Sequence, residues 1–196
     1  MIYDITQPLF ECEVFPGDPK PEKTELYRIK NGAICNLTAL SMCVHNGTHI
    51  DAPYHFIDDG KAVDRIDLTR FIGPAYVETR NGDVSGSDAK QILERARTLN
   101  AQSWKKILIR GKATVTSEAA AVFADAGIDL IGNESQTVGP EDAPAEVHLI
   151  LLGKEIVLLE GIRLNHVPDG VYMLNCAPLN LSGTDGSPCR AVLMDL

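Results

Sequence analysis

The chain lacks the long apolar segment that a membrane-spanning helix requires. None of its 196 residues belongs to an uninterrupted apolar run of about 18 or more. The first residues also lack the basic region and apolar stretch that are typical of a secretory signal. We therefore expect a soluble cytoplasmic protein with no membrane partner.

Basic side chains are scarce as well. The chain carries 18 lysines and arginines against 27 aspartates and glutamates, which gives a formal net charge of −9. Nucleic acid is not expected as a partner, because binding its phosphate backbone needs a basic surface. The phosphate-loop motif GxxxxGK and the dinucleotide motif GxGxxG are absent too. These absences argue against nucleotide chemistry.

The cysteines are few, odd in number and without the CxxC spacing of redox and zinc motifs. There are five: Cys12, Cys35, Cys43, Cys176 and Cys189. This pattern favours reduced, mostly buried thiols over a disulfide framework. Cys43 lies two residues before His45, so a soft metal ligand or a redox-sensitive thiol is the alternative reading there.

The length and composition suit one domain. With 196 residues and 44% hydrophobic content, residues 1–196 can bury one substantial core. Strand and helix patterns alternate from residue 73 to 131, which predicts an α/β fold with a partly parallel sheet. We predict strands at 2–6, 24–30, 34–43, 73–80, 106–110, 128–131, 156–159, 170–175 and 190–195. We predict a helix capped by Ser87 and running through Arg97, a helix at 118–126 capped by Ser117, and a helix from Pro144 to about Gly153.

Histidines concentrate in one short run. Residues 45–55 read His-Asn-Gly-Thr-His-Ile-Asp-Ala-Pro-Tyr-His and hold three of the five histidines. At this histidine content, a window of that length should hold roughly 0.3. Imidazole nitrogens together with a carboxylate are the ligands that a divalent metal needs. The run therefore predicts a metal site.

The backbone must turn inside this run. In an extended chain the Cα atoms of His45 and His49 would lie about 13 Å apart, too far for two ligands of one metal. Asn46-Gly47 is the pair that suits a turn, since both residues tolerate positive φ. His49 and Asp51 would then share one side of a short strand. His55 lies beyond Pro53, beside the metal rather than on it, where a general base belongs.

Three other residues have alternative interpretations. His148 lies among apolar residues of the third helix, where a hydrogen-bonded core histidine competes with a metal ligand. Glu160 ends an apolar strand, and a carboxylate in that position must be paired, coordinated or exposed. Phe15, on a proline-rich loop, either packs under that loop or lines a substrate pocket.

The run HNGTHIDAPYHF resembles the HxGTHxDxPxH signature of the bacterial cyclase family. The resemblance extends to the opening IYDITQPL, the Phe-Pro-Gly-Asp loop at 15–18, residues 148–161, the Val-Pro-Asp-Gly turn at 167–170 and the ending SGTDGSPCR. It implies a β/β/α domain with a mixed, barrel-like sheet and flanking helices. It also implies a homodimer or larger homo-oligomer.

The resemblance also implies roles for the candidate residues. It makes His45, His49 and Asp51 ligands of one divalent metal. Asp51 would bridge to a second metal, zinc or alternatively manganese, which His148 and Glu160 complete. His55 would be the catalytic acid and base.

The activity implied by the family is the hydrolysis of a carbon–nitrogen bond other than a peptide bond. An aryl formamide such as N-formylkynurenine is the leading substrate, and a cyclic amide such as isatin is the alternative. A metal-binding protein without turnover is the hypothesis from another class. The chain departs from the formamidases in two places. It has Phe15 where they typically carry tryptophan or another large aromatic residue, and residues 134–137, Glu-Ser-Gln-Thr, in place of Asp-Thr-Pro-Ser. Both departures concern the pocket that would bind the aromatic ring of the substrate, and neither changes a candidate metal ligand.

Overall fold

The computed structural model describes residues 1–196 as thirteen strands and three helices. The strands are β1 (Ile2–Asp4), β2 (Glu22–Tyr27), β3 (Leu37–Ser41), β4 (His49–Asp51), β5 (Ile72–Thr79), β6 (Gly82–Val84), β7 (Lys106–Arg110), β8 (Ala113–Val115), β9 (Leu130–Asn133), β10 (Val157–Glu160), β11 (Gly170–Asn175), β12 (Gly186–Pro188) and β13 (Val192–Asp195). The helices are α1 (Gly86–Leu99), α2 (Ser117–Ala126) and α3 (Ala145–Leu152).

Nine strands form one mixed sheet in the order β1-β13-β11-β5-β7-β9-β10-β4-β12. The central strands β5, β7, β9 and β10 are parallel, and the outer strands pair antiparallel. The sheet curls into a half-barrel, so the α/β class and the mixed, barrel-like sheet with flanking helices are confirmed. The short parallel pair β6–β8 and the strand β12 were not anticipated.

The two faces of the sheet carry separate apolar clusters. One cluster of 22 buried residues joins the sheet to the three helices, and the other, of 20, fills the opposite face. In α1 the buried residues Ala89, Ile92, Leu93 and Ala96 recur at helical spacing, which places one apolar stripe against the sheet. None of the three helices is long and apolar enough to cross a membrane.

The predicted helix starts were wrong by one or two residues. Ser85, and not Ser87, caps α1, because the backbone N–H of Asp88 donates to its hydroxyl while the Asp88 carboxylate accepts from the N–H of Ser85. This reciprocal capping box decides between the two nearby serines. Thr116, and not Ser117, caps α2, which ends at Ala126 as predicted and is followed by Gly127 with φ of 70°. The α3 helix begins one residue after Pro144, which serves as its N-cap.

The strand register brings parts of the candidate site together. Strand β4 lies between β10 and β12, and the antiparallel register places His49 opposite Glu160. Cross-strand neighbours of this kind project from the same face of a sheet. The pairing therefore joins the histidine run to a carboxylate more than a hundred residues later in the chain.

The hairpin β2–β3 stands apart from the main sheet. It forms a sheet of its own, and no residue between 20 and 41 is buried. We call residues 20–41 the arm. The preceding loop carries Phe15 and Asp18, and the chain enters the histidine run directly after β3. The arm is therefore attached at both ends to candidate site segments.

Candidate active site and metal centre

The predicted turn between His45 and His49 is present. Gly47 takes the left-handed conformation with φ of 68°, whereas Asn46 does not. The Asn46 side chain instead accepts from the backbone N–H of Cys43 and donates to the carbonyl of Pro19. Gly47 thus supplies the backbone conformation and Asn46 stabilises the loop around it. The two imidazole rings end with centroids 5.1 Å apart.

Two histidines have the orientation of metal ligands. Nδ1 of His49 donates to the carbonyl of Gly47 at 3.0 Å, and Nδ1 of His148 donates to the carbonyl of Pro144 at 2.8 Å. A carbonyl oxygen only accepts, so each of these bonds places a proton on Nδ1 and turns Nε2 toward the interior of the site. Ligating histidines are commonly oriented by a hydrogen bond of this kind.

The carboxylate of Asp51 lies between the histidines. Its Oδ1 is 2.8 Å from Nδ1 of His45 and 3.3 Å from Nε2 of His49, while its Oδ2 is 3.5 Å from Nε2 of His148. The Oδ2 atom is buried and has no hydrogen-bond partner. Each oxygen of this carboxylate therefore faces a different histidine, as a bridging ligand requires.

The two carboxylate oxygens of Glu160 also face different histidines. Its Oε2 lies 3.5 Å from Nε2 of His49, and its Oε1 lies 3.4 Å from Nε2 of His148. The backbone N–H of Val138 also donates to Oε1 at 2.7 Å. Glu160 is thus close to ligands of both predicted metals, not to those of the second metal alone.

The geometry of these donors fits a divalent cation. Ligand atoms about 2.0–2.1 Å from a tetrahedral metal lie roughly 3.3–3.4 Å from one another, and the contacts of His49 and His148 with the carboxylates span 3.3–3.5 Å. Asp51 and Glu160 are 1% and 2% exposed, and buried carboxylates need a positive partner. His49, Asp51 and Glu160 form one group of converging ligand atoms, and His45, Asp51 and His55 form another. Nitrogen and oxygen donors of this kind suit zinc and manganese alike.

His55 lies beside this cluster. Its ring packs on that of His45 with centroids 4.0 Å apart, and its Nδ1 is 3.3 Å from Oδ2 of Asp185. The ring is partly exposed, whereas the rings of His49 and His148 are buried. The structure therefore brings together all six residues predicted to bind metal or move protons: His45, His49, Asp51, His55, His148 and Glu160.

The chain matches known proteins over most of its length. Residues 3–140 match the model of the Cyclase family, described as "Putative cyclase". The chain is 36% identical to a kynurenine formamidase of Bacillus anthracis over 206 aligned positions, which cover 97% of this chain and 95% of that relative. The chain belongs to the Cyclase family. Its membership confirms the resemblance seen in the histidine run.

Solved structures of similar fold extend the comparison. A potential metal-dependent hydrolase with cyclase activity has a TM-score of 0.82 and 27% identity, with 100% of this chain and 98% of that chain covered. An isatin hydrolase bound to the product analogue thioisatinate has a TM-score of 0.83 at 20% identity, covering 98% and 91% of the two chains. The second match concerns the fold alone. The Cyclase-family fold thus covers essentially the whole chain.

In this Cyclase-family chain four of the five candidate ligands, His45, His49, His148 and Glu160, line a pocket of about 220 Å³. The wall of this pocket also contains Phe15, Asp18, Phe56, Gln136, Thr137 and Pro144. The role of Phe15 in substrate binding stays a prediction. A more open polar cavity of about 560 Å³, lined by residues such as Lys112, Glu134 and Arg163, contains none of the predicted site residues. Only the smaller of these two pockets has candidate metal ligands and His55 in its wall, so it is the candidate substrate pocket.

The carboxylates control protonation within the cluster. Burial by itself lowers the pKa of His45 and His148, but hydrogen bonds to neighbouring carboxylates outweigh burial and raise these values to about 9 and about 10. Asp51 shows the reverse balance, because burial raises its pKa while the surrounding histidines hold it well below the usual value. For His55, burial is the largest influence and lowers the pKa. His45 and His148 are therefore protonated at neutral pH when no cation is bound, whereas Asp51 is ionised.

Asp185 is the site residue that sequence reasoning missed. Its Oδ2 is 2.7 Å from Nε2 of His45, and it also faces His55. The structure shows why a glycine follows Asp185, since a Cβ added at Gly186 would lie 2.7 Å from Cε1 of His45. That close approach depends on the folding of the carboxy-terminal segment across β4, which no spacing in the sequence reveals.

Proposed function

We propose that this protein is a metal-dependent hydrolase of aryl formamides, with N-formylkynurenine as the leading substrate. The observation that carries the proposal is the buried Asp51 carboxylate, whose two oxygens face three imidazoles at the end of a small pocket. The 36% identity to a kynurenine formamidase supports the same activity. Water adds across the formyl carbon–nitrogen bond, and the products are formate and an aryl amine.

Two divalent metal ions would fit the donor set. We assign His45, His49 and Asp51 to one ion, and Asp51, His148 and Glu160 to the other, with zinc first and manganese as the alternative. A divalent ion in this position supplies Lewis-acid polarisation of a carbonyl and acidifies a bound water. In both Asp51 and Glu160, one carboxylate oxygen faces His49 and the other faces His148. This geometry supports two neighbouring metal ions.

We assign the proton transfers to His55. Its Nδ1 faces Asp185, which leaves Nε2 as the ring atom free to exchange a proton with the substrate. Because burial lowers its pKa, a large share of His55 is neutral and able to accept a proton near neutral pH. The same atom can return that proton to the leaving nitrogen. A histidine in this position also argues against a metal-binding protein without turnover.

We further propose that the protein acts as a homodimer joined through the arm. A lone two-stranded hairpin is only marginally stable in water, yet Leu26, Ile34 and Leu40 of the arm are exposed. The arm carries four basic and two acidic side chains, which gives it a net charge of +2. Because the whole chain has a net charge of −9, the residues outside the arm have a net charge of −11. A second copy offers both an apolar contact and an acidic surface. The cytoplasmic location stays a prediction.

A substrate screen tests the activity. The purified protein, loaded with zinc or with manganese, is incubated with N-formylkynurenine, formanilide and isatin, and formate and aryl amine are quantified. We expect formate and amine in equal amounts from the formamides, with no release by the chelator-treated protein. Hydrolysis of isatin, without hydrolysis of the formamides, would show that the substrate is a cyclic amide and not an aryl formamide. Activity on none of them with either metal would contradict it.

A further inference from the structure

The side-chain amide of Gln136 is buried without a partner. Neither its Nε2 nor its Oε1 is accessible to solvent, and neither makes a hydrogen bond within the protein. Buried donors and acceptors are almost always paired in native proteins, so an exception calls for a ligand or an ordered water. Gln136 lines the same pocket as the candidate metal ligands. A molecule in that pocket is therefore a natural partner for the amide.

Hydrogen bonds fix the backbone on both sides of Gln136. The N–H of Gly161 donates to the carbonyl of Ser135 at 2.7 Å, and Asn133 donates to the carbonyl of Thr137 at 3.1 Å. The N–H of Val138 is bound by the candidate ligand Glu160. An added Cβ at Gly161 would lie 2.6 Å from Nε2 of Gln136, which shows how closely the amide packs against the residue after Glu160. The amide is thus fixed beside the ligand end of the pocket.

Thr137 provides a second, independent sign of a polar ligand. Its side chain is almost completely buried at 2% exposure, and its hydroxyl has no hydrogen-bond partner. Thr137 lines the same pocket, whose wall also includes the aromatic rings of Phe15 and Phe56. The pocket therefore combines aromatic surface with unpaired hydrogen-bonding groups. This combination suits an aromatic substrate that carries its own donors and acceptors.

We propose that Gln136 is a specificity-determining residue that recognises an aryl formamide with a carbonyl group ortho to the formamide nitrogen. Its planar amide presents one acceptor and two donor hydrogens side by side. Oε1 accepts from the formamide N–H, and Nε2 donates to the ortho carbonyl oxygen. In the free substrate the formamide N–H donates a hydrogen bond to the ortho carbonyl oxygen. Gln136 offers each of these two groups a hydrogen-bond partner in the protein. The inference rests on the proposed aryl formamidase function.

The test compares two substrates and three proteins. We measure kcat/KM for 2-acetylformanilide and for formanilide with the wild-type protein, Gln136→Met and the control Gln91→Met. Gln91 is a glutamine on the surface of α1, outside the pocket. We expect the wild-type preference for the ortho-acetyl substrate to fall about five- to tenfold in Gln136→Met, which corresponds to the loss of one hydrogen bond. The control should keep the preference.

A binding measurement separates this inference from the proposed function. Calorimetric titration with 2-aminoacetophenone and with aniline needs no turnover, and metal analysis confirms that the site is intact in each variant. We expect wild-type protein to prefer 2-aminoacetophenone and Gln136→Met to lose that preference. A preference unchanged within twofold in both kinetics and binding would overturn the role of Gln136. Absence of hydrolysis with the binding preference intact would instead contradict the proposed activity.

Discussion

Nε2 of His45 lies 2.7 Å from Oδ2 of Asp185, a residue 140 positions later in the chain. The same carboxylate oxygen is 3.3 Å from Nδ1 of His55. Its hydrogen bond with His45 holds the pKa of Asp185 at about 2, so the carboxylate is ionised at neutral pH. One negative charge therefore orients both a proposed metal ligand and the proposed acid and base.

Replacement of this carboxylate tests that arrangement. We expect Asp185→Asn to lower metal affinity or kcat/KM by about 10- to 100-fold, the usual effect of removing the partner of a ligating histidine. Asp169→Asn is the control, because Asp169 binds Thr79 and Arg110 away from the pocket. Competition with a chromophoric chelator measures the affinity. Wild-type affinity and wild-type kinetics in Asp185→Asn would show that the contact has no such role.

Removal of His55 separates proton transfer from metal binding. We expect His55→Ala to keep its metal content and to lose about 10²- to 10⁴-fold in kcat, the range typical of a general acid and base. Elemental analysis and formate release give the two measurements. His166→Ala, at an exposed histidine, is the matched control. Loss of metal from His55→Ala would assign this ring to the ligands, as its grouping with His45 and Asp51 allows.

The proposed second metal site includes His148. We expect His148→Ala to retain one equivalent of metal where the wild-type protein holds two, since His45, His49 and Asp51 stay in place. The stoichiometry is determined by elemental analysis after dialysis against metal-free buffer. Two equivalents in the variant would remove His148 from the ligand set.

Metal uptake should release protons. In the metal-free protein the pKa values of His45 and His148 are raised to about 9 and about 10, so both imidazoles carry an extra proton at pH 7.5. A metal must displace these protons, and its affinity should therefore rise with pH until about pH 9 to 10. Proton release on addition of zinc in weakly buffered solution is the measurement, and His148→Ala should release less. Equal affinity at pH 6.5 and pH 8.5 would contradict this coupling.

The arm provides a test of assembly. We expect Leu40→Glu to weaken self-association at least about tenfold, because a charge would be buried at an apolar contact. Leu99→Glu, at an exposed leucine at the end of α1, is the control. Sedimentation velocity over a range of concentrations reports the oligomeric state. A wild-type protein that is monomeric at every concentration would contradict a dimer formed through the arm.

The local features of this chain could be predicted from the sequence because they depend on neighbouring residues. Gly47 makes the turn of the histidine run through its own φ, and the stripe of apolar residues in α1 follows from helical spacing. The strand β11 was predicted with its observed limits. Where two capping residues compete within a few positions, as Ser85 and Ser87 do, the side-chain hydrogen bonds decide, and the spacing does not show them.

The sequence by itself determined the chemistry available: a dense group of histidines with Asp51, a turn that lets the first two meet, and His55 beyond Pro53. The family resemblance implied that His148 and Glu160 join them, but only the tertiary structure shows by which contacts they do so, and it alone adds Asp185. Glu160 faces His49 through the register of β4 and β10, and His148 turns Nε2 inward through the carbonyl of Pro144. Asp185 directly precedes β12, and the pairing of β12 with β4 brings it to His45. These contacts arise from strand pairing and side-chain orientation over long separations, and no local spacing specifies them.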